Sequence, residues 1–112
     1  MKDTLFVLKP SFEDKGALHF CPFCAQVIGF LAYYPQVKDS LTLVELDFPK
    51  PRTPLSDLLG EKHQAAPMLV LGGEPVPVPH VTIAEANGHH YVEKTMEILR
   101  YLAATRSVPF PH

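Results

Sequence analysis

Two cysteines stand three positions apart in HFCPFCAQVIGF, residues 19–30, and the chain has no others. A C-x-x-C pair supports three kinds of chemistry. One thiolate can attack a disulfide while its neighbour resolves the mixed disulfide that results. Two thiolates can supply half of a tetrahedral zinc site. Two free cysteines can also be inert, filling space as small buried hydrophobes. The zinc case needs further ligands. His19, His63, His80, His89, His90 and His112 exist, but no second pair has finger-like spacing, so such a site would have to close through tertiary placement. His89-His90 beside the turn Asn87-Gly88 reads as solvated and not as a ligand pair. The sequence therefore assigns no metal and no cofactor. His19, two residues before Cys21, could steady a thiolate when protonated, or simply stand exposed at a loop end.

What the pair can do depends on the elements that hold it. Residues 4–8 (TLFVL) are rich in strand formers and read as a buried strand. Residues 9–20 are mixed and polar, with Pro10 and Gly16, and read as a loop. From Pro22 to Tyr34 the chain lacks charge and ends at Pro35; a proline at the first helical position and another just past the end punctuate a helix. The cysteines thus open the first helix, just after the first strand. Orphaned N–H groups and the helix dipole favour an anion there, so Cys21 should favour its thiolate, and Cys24 lies one turn on, within reach of the same sulfur. Pro22 removes an N–H that the helix would not use.

Residues 41–47 alternate as a second strand. A proline-rich stretch and a short helix over residues 55–59 follow, stopped by Gly60. Residues 68–71 (MLVL) form a third buried strand, entered from Pro67 and closed by Gly72-Gly73. Residues 74–80 alternate valine with proline and are extended, at best a sheet edge. Residues 81–86 fit either a short strand or a helical turn. Asn87-Gly88 is a turn, residues 89–92 a last strand, and residues 95–105 an amphipathic helix before an extended tail. The first β-α-β is long enough for a parallel crossover, and strands 4–8, 41–47 and 68–71 are expected to lie parallel. No acidic residue falls inside strand 4–8 to assist proton transfer.

With C-P-F-C between the first strand and first helix, the chain resembles the glutaredoxins and other thioredoxin-fold proteins. Ala66-Pro67-Met68-Leu69-Val70 resembles that superfamily's second signature, a cis-proline just before the third strand. The resemblance implies an α/β thioredoxin-like fold, a small mixed sheet flanked by helices, formed as one domain over residues 1–112. It implies a cis Ala66–Pro67 bond facing the pair, with the Ala66 backbone offering hydrogen bonds to a thiol substrate. It also implies that Cys21 is the nucleophile and Cys24 the resolving thiol; Pro22, Phe23 and His19, next to the pair, are the further candidate substrate-binding residues. The chain departs from the pattern in lacking a glutathione-type Gly-Gly-x-Asp-Asp segment after the third strand, and it contains no tryptophan. More narrowly, LFVLKPSFED, C-P-x-C-A after a long loop, VELDFPKPR and the terminal P-F-P-H resemble the bacterial family DUF3088. That resemblance implies the fold and brings no activity.

Composition sets the outer bounds. The 112 residues suit one domain, and 46% apolar with 20% charged residues is ordinary for a globular chain. Net charge is −2 and basic residues are scattered, which argues against nucleic acid as a partner. No run approaches the roughly 18 apolar residues that span a bilayer, and residues 5–8 are too short for a signal sequence. A reducing cytoplasm is the expected compartment, where a structural disulfide would not persist. The expected function is thiol–disulfide exchange on a protein or small thiol substrate. The alternatives are a non-catalytic thioredoxin-fold binding module and a zinc-binding structural protein. The first helix carries apolar side chains nearly all round, with only Gln26 polar. This predicts cover on more than one side, from the chain's own loop or tail or from a second copy in a homodimer. Arg52 and residues 49–54 could wall a groove beside the pair.

Overall fold

The strand Asp3–Leu8 (β1) buries Leu5, Phe6, Val7 and Leu8 in succession. Both of its faces are covered, as in a central strand. The computed structural model, which describes residues 2–112, continues with Phe12–Asp14 (β2), Ala17–His19 (β3), Pro22–Tyr33 (α1), Pro35–Asp39 (α2) and Leu41–Leu46 (β4). Then come Leu55–Leu59 (α3), Met68–Val70 (β5), Ala84–Ala86 (β6), His89–Val92 (β7) and Thr95–Arg106 (α4). One mixed sheet runs in the order β4-β1-β5-β7-β6, with α1 packed beside α4. The protein is α/β, and its core gathers Phe6 and Met68 from the sheet with Val27, Leu31, Ile98 and Leu102 from the helices.

β1 and β4 pair in parallel from Asp3–Leu41 to Leu8–Leu46, as the length of the first crossover requires. β5 does not follow the expected parallel arrangement. It runs antiparallel to β1, with Thr4 opposite Val70 and Phe6 opposite Met68. The connection after β4 carries only a five-residue helix, about 7.5 Å long. A parallel neighbour is normally reached by a crossover helix packed on the sheet face, about 20 Å long to match the strands, and this connection holds none of that length. The chain instead re-enters at the end it left, and this brings Pro67 alongside the end of β1 that leads to the cysteines.

Residues 9–20 also depart from expectation. They fold as a hairpin, β2 against β3, with Phe12 opposite His19 and Asp14 opposite Ala17. Its two turn residues, Lys15 and Gly16, have φ of 53° and 79°, the two positive values that a tight hairpin turn needs. Residues 74–80 stay out of the sheet, and the ambiguous stretch resolves into β6 over its last three residues. Pro35 does not simply stop the first helix; it opens α2 as that helix's first residue.

α1 buries one face only, through Cys24, Val27 and Leu31. Phe23, Ile28 and Tyr33 are exposed, so the described residues of the single chain leave much of this helix uncovered. The C-terminal tail supplies part of that cover: Pro109 and Phe110 stand across a cavity of about 530 Å³ from Phe30, Tyr33 and Tyr34. Among the described residues no helix is long and apolar enough to cross a membrane.

Candidate active site

Cys21 is the N-cap of α1, with extended backbone (φ −81°, ψ 111°) and Pro22 at the first helical position. In place of the usual hydroxyl or carboxylate oxygen, it is the Cys21 Sγ that accepts the Cys24 N–H, at 3.2 Å. The Cys21 carbonyl accepts the Ala25 N–H at 3.0 Å. The first turn holds no acidic residue, so nothing there opposes the positive end of the helix dipole. Cys21 is half-buried, whereas Cys24 is buried at 4% exposure.

Cys24 points inward, and its Sγ accepts the Leu8 N–H at 3.4 Å. Burial pushes its thiol up to about 12, and the hydrogen bond with Cys21 adds to the rise. The Leu8 N–H and the more distant Arg52 charge pull the other way and are outweighed. The two thiols therefore differ in kind. Cys21 meets solvent at a helix end, and Cys24 is a protonated donor or acceptor held behind it.

The Ala66–Pro67 bond is cis, and the Ala66 carbonyl faces the pair, 3.9 Å from Cys21 Sγ. Two recesses flank the cysteines. One, of about 530 Å³, has Phe23, Ala66 and Pro67 on its walls together with His80, Lys94 and Arg100. The other, of about 450 Å³, contains both cysteines and is walled mostly by apolar residues of β1 and α1. The structure thus brings Cys21, Cys24, Phe23, Ala66 and Pro67 together. Pro22 lines neither recess and serves the helix start. His19 lines neither as well; it is exposed on β3, its ring 6.4 Å from that of Phe12.

Arg52 does not wall either recess. Its guanidinium donates to the Phe48 carbonyl at 2.8 Å and the Gln64 carbonyl at 2.9 Å, so it braces the proline-rich segment. Among the described residues no group of three or more His, Cys, Asp or Glu is gathered as a metal would require. Sequence reasoning looked for a carboxylate only inside the first strand and missed Glu45. The parallel register sets Glu45 opposite Val7, and it joins both cysteines in the second recess. Strand pairing was the signal, and pairing is not written in either strand alone.

No curated protein and no solved structure matches the chain. A family model described as "Protein of unknown function (DUF3088)" matches residues 2–110. With nearly its whole length inside that match, the chain belongs to the DUF3088 family.

Proposed function

We propose that this chain carries out thiol–disulfide exchange on a thioredoxin-like scaffold, with Cys21 attacking and Cys24 resolving. One observation carries the reading. The two sulfurs are divided between an accessible helix N-cap and a buried position behind it, yet remain linked through the Cys24 N–H. Attack by the Cys21 thiolate on a substrate disulfide forms a mixed disulfide and expels one substrate thiolate, which takes a proton. Cys24, on losing its proton, attacks Cys21 Sγ and expels the second substrate thiol. The substrate disulfide is then reduced to two thiols and the pair is oxidised to one disulfide. Ala66, Pro67 and Phe23 would form the wall against which the substrate lies.

The test is equilibration of the full chain in glutathione redox buffers, read by alkylation and intact mass. A single two-electron couple near cytosolic poise, roughly −200 to −300 mV, is expected. A chain that never forms the Cys21–Cys24 bond would sink the reading.

A second reading has its own support. A Cys24 thiol pushed up to about 12 supplies little thiolate for resolution at neutral pH. This favours a binding module that captures thiols without turning over. In that case Cys24→Ser would leave the rate of thiol release unchanged, whereas exchange requires that rate to collapse.

A further inference from the structure

The recess that holds both cysteines differs in chemistry from the one beside Pro67. Its volume of about 450 Å³ lies within the range of small-molecule sites. Leu8, Pro10, Phe20, Ala25, Ile28 and Ala32 supply its walls. Its only charged residues are Lys9 and Glu45. Both are exposed, and the Lys9 ammonium is already engaged by Asp47 at 2.7 Å. Lys9 stands between the carboxylates of Glu45 and Asp47, so the recess presents no excess positive charge to the carboxylates of a peptide-like thiol. The recess beside Pro67, by contrast, presents Lys94 and Arg100 with Glu93 and Glu97.

The openness of the apolar recess follows from the helix sequence. Small residues at positions 25, 29 and 32 leave room where larger ones would fill it, and a Cβ at Gly29 would meet nothing within 4 Å. Ile28 and Phe20, exposed at 40% and 63%, line the same recess, apolar area that a bound alkyl group would take out of water.

Resting on the exchange reading, we infer that the substrate is a low-molecular-weight disulfide with an uncharged alkyl half, seated in this recess against Cys21. The Cys21 thiolate attacks the sulfur that carries the apolar group. A new S–S bond forms between Cys21 Sγ and that sulfur, giving a mixed disulfide with the alkyl group, while the substrate S–S bond breaks and the other half leaves as a thiolate that takes a proton. Cys24 then releases the alkyl thiol and closes the intramolecular disulfide.

The experiment uses the reduced full chain with n-butyl, methyl and 2-hydroxyethyl 2-pyridyl disulfides, following release of pyridine-2-thione. The leaving group is common to all three, and each rate is divided by that of N-acetylcysteine. The butyl reagent should react about tenfold faster than the hydroxyethyl one. Ala25→Leu, which fills the recess, should bring the butyl rate down to that of the hydroxyethyl reagent and so abolish that preference. Ile28→Ser should reduce the preference without filling anything, and it serves if the first variant does not fold.

Equal normalised rates for the three reagents would overturn the recess proposal and leave thiol exchange standing. A preference that survives both substitutions would overturn it as well. Failure of Cys21 to react with any reagent would remove the exchange reading and this proposal together.

Discussion

Cys24 is where the fold acts most strongly on a single side chain. Its thiol is held far above its ordinary range by burial, so the native state binds that proton more tightly than the unfolded chain does. The sign follows: the stability this proton supports is fully present below about pH 9 and is lost as pH rises toward about 12. Urea midpoints of the reduced protein and of Cys24→Ala, compared from pH 7 to pH 11, should converge as the pH rises. A constant gap would show that the burial does not act on the proton. At neutral pH, iodoacetamide should label Cys21 and leave Cys24 unmodified until the chain is unfolded, as peptide mapping after a timed quench would report. The position of Cys21 at a helix start was legible because Pro22 and the uncharged run after it are local signals. That Cys24 hangs from the Leu8 N–H was not, since the two residues lie 16 positions apart.

The hairpin β2–β3 and the proline-rich segment after β4 act as one element. Phe12 stacks on Phe48 with ring centroids 4.4 Å apart and planes within 2°. Arg52 lies over the same Phe48 ring at 5.2 Å. A double-mutant cycle on Phe12→Ala and Phe48→Ala should give a coupling of about 1 kcal/mol. Denaturant titration of the four proteins measures it, and strict additivity would mean that the stack contributes nothing. This hairpin escaped the sequence reading for a physical reason. β3 is exposed throughout, so no buried face imprints an alternation, and Lys15-Gly16 is a weaker turn signal than Asn-Gly. β5 was legible as a buried strand but not in its direction, because direction depends on where the chain travels between residues 47 and 67.

Across the molecule, one ion pair ties distant parts of the chain. The Arg106 guanidinium meets the Asp3 carboxylate at 3.0 Å and also donates to Ser40 Oγ at 2.9 Å. The other Asp3 oxygen accepts the Gly72 N–H at 2.8 Å. The last turn of α4, the start of β1, the end of α2 and the exit from β5 therefore share one polar node, with both charged side chains only 16% exposed. Arg106→Ala should cost about 2–3 kcal/mol, since it strands a largely buried carboxylate. Loss of about that size in the urea midpoint at neutral pH is the check, and a change below about 0.5 kcal/mol would place the pair among inert surface contacts. Nothing in the sequence announced this node, because its members span residues 3 to 106.

One consequence follows from the partners of the two sulfurs. Cys21 Sγ meets the Cys24 N–H and the Ala66 carbonyl, and Cys24 Sγ meets the Leu8 N–H. All three are main-chain groups that every residue except proline at the two N–H positions would supply equally. Substitutions beside the cysteines would leave these three contacts in place, whereas the burial that raises the Cys24 thiol still depends on the apolar side chains around it. What relatives would have to preserve is the backbone path that brings positions 8, 24 and 66 to the two sulfurs, together with apolar cover over Cys24.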